Sequence, residues 1–300
     1  MIWKKGFAEW TIGNTAYLSI VFSWDADAAY QRAVYLRAEG YKVMVGGPGA
    51  WHPKQRRIFD GVAEFGEHYP EAVLKHNINA TFASHGCPVN CYFCDVSKRE
   101  GKEYNGETLH CDFQPRPILC DNNLSALNPD YQDFIIAKYR QSGVKLRDAN
   151  SGFEPLTFTD SVYQRWRQII REGGGVWRFA FDTTTERTQF MEMAKILKDE
   201  PRRSKRVYVL IGNEPFEDCM RRITETIAAG CDPYCQAVMK PNTFTKTPWV
   251  QHDWTLQMLR DVQRWVNRFG FRSFPFSEYD SRVRQPRGVE KEERQDVLAL

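Results

Sequence analysis

Arg206-Val-Tyr-Val-Leu-Ile211-Gly212-Asn-Glu214-Pro215 reads as a strand, a polar turn and the start of a helix. The β-branched and aromatic run is strand-like, and Pro215 suits the first turn of a helix that extends to Ala229. The same unit recurs outward in both directions. Upstream, Val176–Phe181 reads as a strand ending in Asp182, before a helix over Thr185–Lys198. Val144–Arg147 reads as a strand ending in Asp148-Ala-Asn-Ser-Gly152, before a helix over Thr157–Arg171 stopped by Gly173-Gly-Gly175. Pro117–Cys120 reads as a strand ending in Asp121-Asn-Asn123, before a helix over Pro129–Ser142 capped by Asn128. Ile78–Ser84 is a further strand, followed by a cysteine-rich loop. Downstream come a strand over Tyr234–Met239 and a helix over Asp253–Phe269. Six strands alternating with helices predict an α/β fold with a parallel sheet, doubly wound or a partial (β/α) barrel. In both, ligands bind at the carboxyl ends of the strands. Here those ends carry Cys87, Asp121, Asn122, Asn123, Asp148, Asn150, Asp182, Gly212, Asn213, Glu214 and Lys240. Taken singly each Asp or Asn is a cap or turn residue; on one rim together they outline a site.

Ahead of this repeat, Ala16–Phe22 and Tyr41–Val45 read as strands around a helix over Asp25–Glu39, a βαβ unit. The following Gly46-Gly-Pro-Gly49 lacks the Lys-Ser/Thr of a phosphate loop and the GxGxxG spacing, so it reads as a tight turn. The 300 residues are 42% hydrophobic and 26% charged, which is too apolar for a disordered chain. A net charge of +3 is too small to argue for nucleic acid. No run approaches the ~20 apolar residues of a membrane span, and the first residues lack the apolar core of a signal peptide. A cytoplasmic protein with reduced thiols is expected. Ser281–Leu300 mixes five basic and four acidic residues and reads as a solvated tail. Lys198–Arg206, with five basic and two acidic residues, reads as a solvated loop.

The most informative feature is Cys87-Pro-Val-Asn-Cys91-Tyr-Phe-Cys94, a C-x3-C-x2-C triplet at the end of the first strand of the repeat. Three thiolates this close together can converge on one centre, and thiolates select zinc or iron–sulfur clusters. Zinc wants a closed set of four ligands, for which His85 or Cys111 is available. The spacing is not that of a ferredoxin, whose irons are all protein-ligated. Three cysteines on a four-iron cluster leave one iron open to a non-protein ligand. Of the other cysteines, Cys120 reads as core and Cys219 lies in a helix, while Cys231 and Cys235 form a C-x3-C pair. With Cys219 that pair offers an auxiliary cluster, against the plainer reading of ordinary thiols.

The triplet, with aromatic Phe93 before its last cysteine, resembles the signature of the radical S-adenosylmethionine (radical SAM) superfamily. The resemblance implies that Cys87, Cys91 and Cys94 hold a [4Fe–4S] cluster whose fourth iron is chelated by SAM. It also implies reductive cleavage of SAM to a 5′-deoxyadenosyl radical that abstracts hydrogen from a substrate. The implied fold is a partial (β/α)6 TIM-like barrel. Phe93 stands where the family's aromatic residue contacts adenine. Asp121-Asn-Asn123 resembles a variant found in the cobalamin-associated and methylthiotransferase branches, making Asn122 and Asn123 contacts to the SAM amino group. Asp148-Ala-Asn-Ser-Gly152 is similar to their Asp-x-Asn-Gln-Gly element and brings in Asn150, with Ser151 in place of the glutamine. Asp182 falls where a polar residue meets the SAM ribose or carboxylate. Gly212 and Glu214 match the element that seats adenine, and Met239 the segment bordering it.

Residues 17–49 resemble the last third of a cobalamin-binding domain, but the chain upstream is short and an Asp-x-His-x-x-Gly motif is absent, so cobalamin is not expected. The expected organisation is an N-terminal βαβ extension over residues 1–75, a barrel over 76–276 and a charged tail over 277–300. The expected partners are a substrate of unknown identity and a one-electron donor such as flavodoxin or ferredoxin. Two other functions stay open: methyl or methylthio transfer to nucleic acid or a natural product, and a zinc-stabilised binding protein without catalysis.

Overall fold

The computed structural model describes residues 3–66, 72–150, 152–240 and 243–282. In chain order its elements are β1 (Ala8–Ile12), β2 (Thr15–Ser19), α1 (Ala26–Ala38), β3 (Lys42–Gly46), α2 (Pro53–Arg57), β4 (Glu64–Phe65), α3 (Ala72–His76), β5 (Ala80–Thr81), α4 (Val96–Arg99) and β6 (Ile118–Leu119). They continue with α5 (Pro129–Ser142), β7 (Asp148–Ala149), α6 (Asp160–Gly173), β8 (Trp177–Ala180), α7 (Arg187–Ile196), β9 (Lys205–Ile211), α8 (Phe216–Ala228), β10 (Asp232–Ala237) and α9 (Leu256–Asn267). The fold is mixed α/β with three small sheets, ordered β1-β2-β3-β4, β5-β6-β7 and β10-β9-β8. Every pairing among β5–β10 is parallel, as the alternation of strands and helices predicts. No closed barrel is present among the described residues.

The chain forms two compact units: Met1–Gly152 with Gln164–Gly175 and Lys240–Thr247, and Phe153–Tyr163 with Val176–Met239 and Pro248–Leu300. The N-terminal sheet thus shares a unit with β5–β7, and the division does not follow the expected one at residue 75. The C-terminal tail lies outside the described residues from 283 onward.

In the first unit, β2 and β3 are parallel neighbours around α1, the expected βαβ unit. Helix α1 buries Ala26, Ala29, Ala33 and Leu36, spaced three and four residues apart, against Leu18, Val43 and Val45. Two strands escape the sequence reading. β1 joins β2 in a hairpin whose two-residue loop is Gly13-Asn14, with Gly13 at φ 57°. The two-residue β4 pairs along β3. The third strand of the repeat is displaced: pairing falls at Asp148–Ala149 rather than Val144–Arg147, because the amides of Arg147 and Asp148 both reach the Pro117 carbonyl and pairing begins beyond it. Helix α5 keeps its expected bounds. Asn128 Oδ1 accepts from the Asp130 amide at 2.9 Å, and Gly143 ends the helix at φ 69°.

In the second unit, β9 alternates buried Lys205, Val207, Val209 and Ile211 with half-buried residues. Phe153, Phe158, Trp177 and Phe179 form an aromatic cluster beside β8. Pro215 is the N-cap of α8, one residue earlier than expected.

Candidate functional site

The cysteine loop leaves β5 through Ala83, Ser84, His85 and Gly86. Its base is closed by main-chain geometry. Gly86 has φ 88°, and a Cβ there would lie 3.0 Å from the Gly101 carbonyl, so a glycine is required. The Cys87 amide donates to the Gly101 carbonyl at 3.1 Å, and the Cys94 amide to the Cys91 carbonyl at 3.1 Å. Ser97 Oγ donates to Asn90 Oδ1 at 3.3 Å, tying α4 to the loop. Tyr104 bridges from outside, its hydroxyl 3.3 Å from the Gly86 carbonyl and 3.0 Å from the Asn123 carbonyl.

All eight cysteines are thiols, and the three of the triplet are half-buried. Burial pushes the Cys94 thiol above its ordinary pKa. Among the described residues no three His, Cys, Asp or Glu side chains are gathered as a metal-holding group, so the thiols share one short loop without closing on a common point. Donor chemistry nevertheless fits a thiolate-held centre. Three soft ligands lie within eight residues, partly open to solvent, and Asn123 Nδ2 donates to Cys87 Sγ at 3.7 Å. An N–H directed at a ligating sulfur is the outer contact that tunes such a centre. Of the two candidate fourth ligands for zinc, His85 faces His110 with Nδ1 and Nε2 2.7 Å apart, and Cys111 is exposed.

Asp121, fully buried, joins the ends of the first two strands of this sheet. Its Oδ2 accepts from the Ala83 amide at 3.0 Å and its Oδ1 from Ser84 Oγ at 2.6 Å. Burial outweighs those bonds and pushes its pKa to about 7. The folded state therefore holds this proton where the unfolded chain has lost it, and the group's contribution to stability falls as pH rises from about 4 to about 7. Asp121→Asn is expected to remove that loss, so its urea midpoint should drop less than wild type's between pH 5 and pH 8. Identical pH dependence in the two proteins would contradict the assignment.

The neighbouring asparagines divide their work. Asn123, buried, accepts from the Ala126 amide at 3.1 Å and from Ser125 Oγ at 2.8 Å. The oxygen expected to face the SAM amino group is thus engaged in capping the short 3-10 turn Leu124–Ala126, and its Nδ2 serves Cys87. Asn122 is half-buried and donates to Glu100 Oε2 at 2.6 Å. Glu100 also accepts from the Gly86 amide at 3.2 Å and from the Arg99 guanidinium. Burial alone would raise the pKa of Glu100, but Arg99 and these two donors outweigh it and hold the carboxylate ionised. Asn150 is half-buried, its amide donating to the Leu119 carbonyl at 2.8 Å and its side chain bonding the Cys120 thiol. Phe93 is half-buried in the loop, edge-on to Tyr92, which is 69% exposed. Ser151 lies outside the described residues.

Asp182, Gly212, Glu214 and Met239 belong to the second unit. Asp182 is half-buried, and its Oδ1 accepts from the Leu210 amide at 3.0 Å, stapling β8 to β9. Burial and the nearby Glu186 carboxylate push its pKa to about 7. Gly212 turns at φ 88° against Leu259 and Val238. Glu214 accepts from the Thr184 amide, from Thr184 Oγ1 at 2.9 Å and from Arg222 Nε at 3.0 Å. Met239 is half-buried and bridges to Pro248. Pro241 lies outside the described residues. Cys219 and Cys235 are buried near one another, and burial raises both thiols; no auxiliary metal group forms with Cys231 among the described residues.

The sequence reading missed Arg222, Arg99 and Glu100. Arg222 had a signal: a single cation on the apolar face of α8, beside Cys219, Ile223 and Thr226. Arg99 and Glu100 had none, since an Arg-Glu step after a loop is ordinary surface. No helix among the described residues is long and apolar enough to cross a membrane. No protein-family model, curated protein or solved structure matches the chain.

Proposed function

We propose that the protein is a radical SAM enzyme, generating a 5′-deoxyadenosyl radical that abstracts hydrogen from a substrate. The observation that carries the reading is the Cys87–Cys94 thiol triplet. It lies at the carboxyl end of a parallel strand in an α/β unit, with the Asn123 N–H directed at the Cys87 sulfur. When bound, a [4Fe–4S] cluster and SAM supply one-electron cleavage of the SAM C5′–S bond, releasing methionine. Cys87, Cys91 and Cys94 would hold the cluster, and Asn123 would support the first of them. Asn122 and Asn150 would meet SAM on this side, with Phe93 against its adenine. Asp182, Gly212, Glu214 and Met239 keep the roles that the resemblance implies. The reading carries with it the partial (β/α)6 barrel that the resemblance implies and a one-electron donor such as flavodoxin or ferredoxin. Cobalamin is no part of it.

The test is anaerobic incubation of the reconstituted protein with SAM and dithionite. 5′-Deoxyadenosine as the product supports hydrogen abstraction, and its appearance together with S-adenosylhomocysteine assigns methyl transfer instead. Stoichiometric zinc in place of iron, with neither product, assigns a structural metal site.

The two asparagines should separate. Asn122→Ala removes a contact to a charged group, worth ~1.5–3 kcal/mol, so SAM affinity should fall by roughly one to two orders of magnitude with iron content unchanged. Asn123→Ala removes a cap and the N–H aimed at sulfur, so it should lower iron retention first. Equal SAM affinity for Asn122→Ala and wild type would remove Asn122 from the site.

A further inference from the structure

A cavity of about 750 Å³ lies within the first unit, between the N-terminal sheet and the ends of the strands that carry the cysteine loop. That volume is in the range of small-molecule sites. Its lining includes His85, which precedes the cysteine triplet, and Arg99 and Glu100, which follow it. The N-terminal side is aromatic: Trp10, Tyr17, Phe22 and Trp51 line it, and Phe82 adds a ring from the strand ends. Trp10 and Tyr17 are register partners on β1 and β2, stacked at 5.3 Å with an interplanar angle of 8°.

The rest of the lining is polar and includes Lys4. Asn122 and Asn150 contribute carboxamides, and the Arg99 guanidinium is neutralised by Glu100. His76, buried and paired with Ser19 at 3.0 Å, has its pKa lowered by burial and is neutral. Such a chamber favours a flat ring system with a hydrogen-bonding edge.

The glycines of the turn differ in what they require. Gly47 is demanded by the backbone, with φ 91° and a built Cβ only 2.4 Å from the Ile20 carbonyl. Gly46 is not. Its φ lies outside the left-handed region, and the nearest atom to a built Cβ is the Gly66 carbonyl oxygen at 3.9 Å. Gly46 lines the cavity, so the missing side chain leaves the chamber open rather than relieving strain.

We propose that this cavity binds a planar aromatic molecule, stacked on the tryptophan and tyrosine rings of its N-terminal side. Binding of such a molecule depends only on the cavity; that the molecule is the substrate rests on the radical SAM reading. Stacking of one ring on an aromatic side chain changes affinity by about five- to a hundredfold.

The probe is indole-3-carboxamide, with cyclohexanecarboxamide as a non-planar control, titrated calorimetrically into the full-length protein. The aromatic amide should bind in the range of about 0.1–1 mM, and the control at least about tenfold more weakly. Trp51→Ala should weaken binding by about tenfold, with Trp51→Phe recovering most of it. Trp51 is 37% exposed, so the thermal unfolding midpoint should hardly move. Gly46→Leu should abolish binding while unfolding stays cooperative. Cys87→Ala should bind like wild type, which separates this inference from the cluster assignment. Equal binding of the two amides, full affinity in Gly46→Leu, or displacement of the aromatic amide by SAM would each overturn the proposal.

Discussion

Replacing Cys87, Cys91 or Cys94 with alanine is expected to abolish SAM cleavage, to below one-hundredth of the wild-type rate by order of magnitude, since two thiolates cannot seat a cluster with one open iron. The loop should survive the change, because its closure rests on other atoms: the Cys87 amide on the Gly101 carbonyl, the Gly86 amide on Glu100, and Tyr104 on two carbonyls. Each variant should therefore unfold near the wild-type midpoint while losing iron after anaerobic reconstitution. Cys120→Ala is the control. Burial pushes its thiol to about 12, so it is a poor ligand at neutral pH, and its loss should leave iron content unaltered. Wild-type turnover by any one of the three loop variants would end the assignment.

Arg222→Met is expected to cost the fold about 3–5 kcal/mol, the usual penalty for removing one partner of a buried ion pair. Arg222 is 1% exposed, and its guanidinium donates to four groups. These are Glu214 Oε2 at 3.0 Å, the Phe181 carbonyl at 2.7 Å, Asn213 Oδ1 at 3.3 Å and Cys219 Sγ at 3.1 Å. It thereby holds the turn after β9 against the end of β8. The methionine fills much of the volume but leaves the Glu214 carboxylate without its cation. Urea unfolding should show a lower midpoint. Adding Glu214→Leu should recover part of the loss, because a hydrophobic pair replaces a buried ionic pair at little net cost. A midpoint unchanged within error would mean that Arg222 is dispensable to these strand ends.

What was legible in the sequence was local. Helix α5 is set by Asn128 and Gly143 at its own ends, and β9 by alternation within seven residues, so neither needs a distant partner to be read. The cysteine triplet is legible for the same reason, since its three thiols fall within eight residues. Strands β5, β6 and β7 pair over only two residues each, too few for periodicity to place, which is why the third was read four residues early. Hairpin β1–β2 was missed although its Gly13-Asn14 loop is a turn signal, since β1 buries only Ala8 and shows no clear alternation.

The remaining features exist only in three dimensions. Asp121 became a buried staple, and Asn123 a cap facing sulfur, because the end of β6 folds back over the cysteine loop. Glu100 stays ionised through the cation beside it, the Gly86 amide and an asparagine 22 residues away. The aromatic cavity draws its walls from residues scattered between Trp3 and Asn150. Sequence periodicity records which face of an element is buried; it does not record which other element covers that face. Burial and long-range pairing decide the protonation and partners of these groups, and both arise only once the sheets have packed.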